Sequence, residues 1–170
     1  MNCLQADGII HCLSCHGDYV WCSSCTIKAH TCHPFHRLQK WKGDFYDAIS
    51  FRDLGFILNL HHDGSPCPFN SIGSSDFIFN QFTVVNSVGI FIHTIKWCRC
   101  NGDSIKDRYL QLLQDRLFPS TITKPQTAFT FNVLDEFLIE ALECKMPASS
   151  FIRSSEELLT MSFLMSCQYV

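Results

Sequence analysis

The sequence predicts an α+β protein in three parts: a small finger, a β-hairpin-containing region, and two or three C-terminal helices. Three observations carry that reading. Residues 1–42 are dense in cysteine and histidine and poor in long apolar runs. Two stretches, FIFNQFTVV and VGIFIHTIKW, are rich in β-branched and aromatic residues and flank Asn86-Ser87. Beyond about residue 103, apolar residues recur at helical spacing.

Each element follows from local chemistry. A segment as poor in apolar side chains as 1–42 cannot build a core, so metal has to replace one. In the next stretch, Phe56-Ile57-Leu58-Asn59-Leu60 reads as a short buried strand, and the Gly and Pro of HHDGSPCP make a loop. The two β-rich stretches form an antiparallel hairpin turning at Asn86-Ser87. The second runs straight into Cys98-Arg99-Cys100. Ile105, Tyr109, Leu112 and Leu113 place an amphipathic helix over 103–117, ended by Phe118-Pro119. Pro125 sits in the first turn of the next helix. Its apolar stripe is Leu134, Phe137, Leu138, Ala141 and Leu142, with Asp135, Glu136, Glu140 and Glu143 mostly off it. Pro147 stops that helix, and a third runs from about Ser149 to Leu164. The domain boundaries on this reading are 1–42 for the finger, 43–119 for the β-rich region with one helix, 120–160 for the helical region, and 161–170 for a tail.

Eleven cysteines in 170 residues admit two explanations, disulfides or metal. The opening MNCLQADGIIHC has neither the basic nor the apolar region of a signal peptide. The chain is therefore expected in the nucleus or cytoplasm and not secreted, and disulfides are rare there. An odd count also fits a closed disulfide set poorly. Eight histidines accompany the cysteines, so metal is the better reading. No run approaches the roughly 18 apolar residues of a membrane span, and no membrane partner is expected. A net charge of −3 gives no general attraction to nucleic acid.

The first constellation is Cys12-x2-Cys15-x6-Cys22-x2-Cys25-x4-His30-x5-His36. Zinc takes four tetrahedral nitrogen or sulfur ligands, and a two-residue gap lets both thiolates of a knuckle face one ion. Cys32 lies outside any knuckle and reads as inert. His11, His16 and His33 read as surface or capping residues. Six ligands are too many for one zinc and too few for two. Cys3 supplies a seventh, and an eighth at knuckle spacing would fall just before Met1. The chain is therefore expected to lack its true N-terminus, with His11, His16 or solvent as other ways to close that site. Three ligands plus water is also a catalytic zinc pattern, but no nearby Glu or Asp is placed as a general base. The completed series resembles a B-box zinc finger. That resemblance implies cross-bracing: Cys12, Cys15, His30 and His36 around one ion, and Cys3, Cys22 and Cys25 around another.

The second constellation combines Cys98-x-Cys100 with Cys67 in SPCP and His62 in the loop before it. Together they make a Cys3His set. His61 competes with His62, and His93 is too far along the strand from Cys98 to share the ion. In all, two to three zinc ions are expected.

The order of motifs is distinctive. It runs through Cys12-x2-Cys15, Trp21-Cys22-x2-Cys25, His30-x3-Pro34-x-His36-Arg37, Trp41, Asp53-Leu54-Gly55, Pro66-Cys67-Pro68, Trp97-Cys98-x-Cys100, Leu117-Phe118-Pro119 and Lys124-Pro125-Gln126-Thr127-Ala128-Phe129. This resembles, over about residues 3–158, the second-class C-x-C cysteine cluster associated with KDZ transposases of basidiomycete fungi. The resemblance implies a module lying N-terminal to a catalytic domain that binds divalent metal through carboxylates. No segment corresponds to that domain, so the chain reads as a fragment and no catalytic residue is assigned. It also supports His62, which matches the family's histidine before the PCP turn.

Three functions follow as expectations. The first is an accessory role in DNA binding. Between Tyr19 and Gly43 there is no acidic residue, while Lys28, Arg37, Lys40 and Lys42 are basic, with Trp21 and Trp41 alongside. The second is a protein-interaction module, docking on the transposase catalytic domain or on a second copy. The third, a metal-dependent hydrolase using the open three-ligand site or His61-His62-Asp63, is disfavoured, since adjacent histidines point in different directions and make a poor bidentate pair. The chain is thus expected not to be an enzyme and to take no small-molecule substrate.

Overall fold

A computed structural model of the chain describes residues 8–69, 78–100, 108–151 and 153–154. They fall into two compact units, one running to Phe56 and the other beginning at Ile57. Both contain sheet and helix, as expected for an α+β protein.

The first unit contains β1 (Ile10–Cys12), β2 (Val20–Trp21), α1 (Ser23–Ala29), β3 (Leu38–Trp41) and β4 (Tyr46–Ile49). The strands form one antiparallel sheet in the order β2-β1-β3-β4. Strand alternation sends Ile10, Cys12 and Leu38 to the buried side. His11 and Gln39 take the other, bonded to each other at 3.1 Å. Gly8 is required where the chain enters β1, because a Cβ there would meet the Val20 carbonyl oxygen at 2.7 Å. Phe51 and Phe56, both buried, pack ring to ring at 5.5 Å. The finger therefore runs past the expected boundary at 42, since β4 completes its sheet.

The second unit contains β5 (Ile57–Asn59), a single 3-10 turn (His62–Gly64), β6 (Ile78–Asn86), β7 (Gly89–Lys96), α2 (Arg108–Gln114), β8 (Leu117–Pro119), β9 (Thr127–Thr130) and α3 (Phe131–Glu143). Its sheet order is β5-β7-β6-β9-β8. The hairpin β6–β7 is present, but Asn86 pairs with Gly89, so the turn is Ser87–Val88. The shift has a local cause: the Asn86 Oδ1 accepts the Val88 N–H at 3.1 Å, and Gly89 supplies a φ of 144°. Phe82, Val84, Ile95, Leu60, Leu112 and Val133 form a fully buried interior. Each such side chain contributes roughly 1.5–3 kcal/mol on burial.

Two helix expectations are corrected. The helix expected over 103–117 stops at Gln114, and its start at 103–107 lies outside the described residues. Arg116, at a φ of 60°, turns the chain, and Leu117–Pro119 becomes an edge strand. Proline is tolerated at such an edge because no ladder partner needs its missing N–H. Pro125 does not open a helix either. Thr127–Thr130 is a strand bonded on both sides, parallel to β6 and antiparallel to β8. The β-branched threonines override the helical start, and Thr130 caps α3 instead, its hydroxyl accepting the Val133 N–H. The region 120–160 is therefore not wholly helical.

The apolar stripe of α3 is split. Val133 is buried and Leu134, Phe137 and Ala141 half-buried, whereas Leu138 and Leu142 face solvent. A further helical stretch begins at 148, with Phe151 packed on Phe137 at 5.3 Å. The rest of the expected third helix, and the tail at 161–170, lie outside the described residues. No helix among the described residues is long and apolar enough to cross a membrane.

Candidate metal centres

In the first unit, Cys12 ends β1, Cys15 follows in the turn, His30 closes α1, and His36 precedes β3. Their donor atoms lie within 4.8 Å of one another. Cys12 Sγ is 3.6 Å from His36 Nδ1, and Cys15 Sγ is 3.3 Å from His30 Nε2 and 3.4 Å from His36 Nδ1. A tetrahedral zinc with ordinary Zn–S and Zn–N bonds has edges of about 3.5 Å between sulfur and nitrogen and about 3.7 Å between sulfurs. The set matches those edges. This grouping is the one that cross-bracing implies for the second and fourth ligand pairs.

The surroundings orient the ligands. His30 Nδ1 lies 2.9 Å from the Thr26 carbonyl oxygen and so carries the proton, leaving the Nε2 lone pair aimed at the cluster. Thr26 is held in turn, its hydroxyl donating to the Cys22 carbonyl at 2.9 Å. Ser14, inside the knuckle, accepts the Arg37 N–H at 3.1 Å and ties the turn to the His36 segment. Burial, then the charges of His30 and His33, holds the His36 pKa below its ordinary value, keeping the ring neutral as a ligand must be. Burial and the neighbouring Cys12 push the Cys15 thiol up to about 11. Two thiols this close do not both ionise alone, and a divalent cation removes that conflict.

In the second unit, His62, Cys67, Cys98 and Cys100 also bring their donor atoms within 4.8 Å of one another. Cys67 Sγ lies 3.6 Å from both Cys98 Sγ and Cys100 Sγ, and His62 Nε2 lies 3.2 Å from each of the latter. The sulfurs are far outside disulfide bonding distance. Backbone amides point at them: Arg99 N–H donates to Cys67 Sγ at 3.5 Å and Cys100 N–H to Cys98 Sγ at 3.4 Å. Burial pushes the Cys67 thiol up, but the N–H groups of Arg99 and Phe69 and the thiols of Cys100 and Cys98 outweigh it and hold it at about 6. Desolvation and its two cysteine neighbours push Cys100 to about 12. The cluster thus accommodates one thiolate readily and the others only with a cation. Both donor sets, two sulfurs with two nitrogens and three sulfurs with one, fit zinc.

Helix α2 grips this second cluster with residues that the sequence reading missed. Gln111 bonds both main-chain groups of Cys98, accepting its N–H at 2.8 Å and donating to its carbonyl at 2.9 Å. The Arg108 guanidinium lies over the Trp97 ring at 5.1 Å. Asp115, just past the helix, accepts the His61 N–H at 2.7 Å. Residues 108, 111 and 115 recur at helical spacing, which was the available signal. Asp115 matters because His61, His62 and Asp63 all have left-handed φ values, 64°, 55° and 52°. Such residues cost about 1–3 kcal/mol each and persist only when their surroundings hold them. Burial raises the Asp115 pKa, partly offset by the His61 N–H. Asp115→Ala should therefore weaken metal binding at the second cluster about 10–100-fold. Asp115→Asn, which keeps an acceptor, should not. Competition with a chromophoric chelator distinguishes them, and equal affinities would remove Asp115 from this role.

The other expected residues are placed as follows. Cys22 caps α1 and Cys25 lies in its first turn, the former buried and the latter half-buried. Cys3, their expected partner, lies outside the described residues. Cys32, His16 and His33 are exposed and His11 half-buried, and all four lie outside both clusters. His33 stacks on His36 at 5.0 Å. His93 is buried on β7 beside Phe91 and belongs to neither cluster.

The four cations differ in their settings. Lys28 is exposed at the end of α1, and Arg37 and Lys40 are half-buried. Lys40 shares its sheet face with buried Ile10 and pairs across strands with Asp47. Lys42 lies 3.9 Å from the same Asp47.

Fold and clusters together define an α+β protein with two separate Cys/His centres, one in each unit. A family model for the CxC2-like cysteine cluster associated with KDZ transposases matches residues 51–162. The chain belongs to that family. The match spans the second cluster and begins after the first. No curated protein and no solved structure matches the chain.

Proposed function

We propose that this chain is a non-catalytic zinc-binding accessory module of a KDZ-type transposase, with a structural zinc at each cluster. The observation that carries this reading is the pair of four-donor sets at tetrahedral spacing. Closed sets of four protein ligands leave no open position for a substrate, which favours structural over catalytic metal. The Cys22–Cys25 pair is the candidate for a third ion. Elemental analysis of purified protein should find two zinc ions per chain, or three with that site filled. Fewer than two would sink the proposal.

The module is proposed to assist DNA binding from its first unit. Lys28 and Trp41, both solvent-facing, and the acid-free run from 19 to 43 support this, whereas Asp47 works against it. Fluorescence anisotropy with duplex DNA should show an affinity that falls steeply with salt and drops further in Lys28→Ala. Salt-independent binding, or none, would count against it. The second reading is docking on the transposase catalytic domain or on a second copy, and the solvent-facing apolar edge of α3 favours it.

A further inference from the structure

The outer side of α3 joins two features that a free helix rarely combines. Leu138, Ile139 and Leu142 are 56%, 62% and 71% exposed. They are neighbours at three- and four-residue spacing and form one apolar ridge. Phe131, 39% exposed, continues it toward the N-terminus. Exposed carboxylates accompany the ridge: Asp135 lies within it, three and four residues before Leu138 and Ile139, and Glu136 and Glu143 flank its Ile139 side. The helix carries no lysine or arginine. Among the described residues none of these three carboxylates is ion-paired.

From this we infer that the outer face of α3 is a docking ridge for a cationic amphipathic helix, whose apolar side covers Leu138, Ile139 and Leu142 and whose lysines or arginines meet these carboxylates. The inference rests on the docking reading and deepens it by giving the partner's chemistry. Charge decides between occupants. A second copy laid across α3 in a two-fold contact would set three carboxylates against three more with no counter-charge, and like charges brought together at an interface oppose it. An anionic membrane surface is opposed for the same reason. A basic helix satisfies both features at once, in the helix-on-helix mode of recognition.

The test uses the full zinc-loaded chain and two synthetic amphipathic peptides of equal length, one of leucine and lysine, the other of leucine and glutamate. Titration followed by anisotropy should give saturable binding of the lysine peptide only. Amide perturbations should be centred on 135–143, and affinity should weaken with salt. Leu138→Ser/Leu142→Ser should reduce affinity at least about tenfold, since its lost apolar contacts exceed the 1.4 kcal/mol that tenfold represents. Asp135→Asn/Glu136→Gln, which leaves the ridge intact, should weaken binding and flatten its salt dependence. Equal binding of both peptides, or no loss in either variant, would overturn the inference. So would concentration-dependent dimerisation abolished by the leucine variant, although that result would leave the docking reading standing through self-association.

Discussion

Removing metal with a strong chelator should unfold the first unit. Its interior is small: among the described residues the large apolar side chains buried in it are Ile10, Leu38, Phe51 and Phe56. Two of its most buried residues, Cys12 and His30, are themselves candidate ligands. A structural zinc in a finger-sized peptide is worth about 10–16 kcal/mol, as much as the roughly 5–15 kcal/mol net stability of a typical domain. Losing it leaves thiols and imidazoles packed together with no cation to neutralise them. Cys12→Ser should reproduce the effect without chelator, because a serine hydroxyl does not ionise and two strands lose their common anchor. The most sensitive readout is hydrogen exchange at Leu13, whose amide donates to the Arg37 carbonyl at 2.9 Å, and at Trp41, whose amide donates to Ile9 at 2.8 Å. Both should lose protection together. Trp21, in edge contact with His30 at 5.4 Å, should change its emission in parallel. Retention of protection in chelator would mean that the sheet stands without metal.

Both clusters were legible in the sequence, for different reasons. For the first, knuckle spacing marks Cys12 and Cys15 as a pair, and the B-box resemblance, through cross-bracing, joins them to His30 and His36. The second needed His62 and Cys67 to meet Cys98 and Cys100 across more than thirty residues, and the family resemblance strengthened His62. The hairpin and a strand near 56–60 were legible from β-branched and aromatic runs, but the strand is Ile57–Asn59 at the sheet edge, exposed to half-buried, and the burial falls on the flanking Phe56 and Leu60. What was missed depends on tertiary context. Leu117-Phe118-Pro119 and Thr127–Thr130 look like a helix end and a helix start until their ladder partners are known. The cationic run at 28–42 looked continuous, but strand alternation turns Lys40 toward the Ile10 side, and Asp47, outside the run, faces it. Gln111 and Asp115 share one helical face with Arg108, but that spacing does not name their targets, which are main-chain groups.

The second unit should respond unequally to loss of its two hook cysteines. Cys98→Ser should lose its zinc and loosen the end of the sheet, whereas Cys100→Ser should keep a weaker site. Cys98 is buried, its main chain is held by Gln111, and its sulfur receives the Cys100 N–H. Replacing it leaves a buried hydroxyl where a thiolate neutralised the cation. Cys100 is exposed, so water can enter as the fourth ligand when it is removed. The loss at Cys98 should exceed the roughly 100-fold upper range for an outer-shell partner. Trp97 reports on it, since this ring is 3% exposed and lies under Arg108. Its emission should shift to the red in Cys98→Ser, and the Leu60 amide, bonded to the Lys96 carbonyl at 3.0 Å, should exchange faster. First-unit amides should be unaffected, because the ligands of the two clusters come from separate stretches, 12–36 and 62–100. Core residues such as Phe82, Val84 and Leu112 should keep much of this unit folded, in contrast to the finger. Equal zinc loss in the two variants would mean that burial does not rank the ligands. Collapse of both units in either variant would mean that the two centres are coupled.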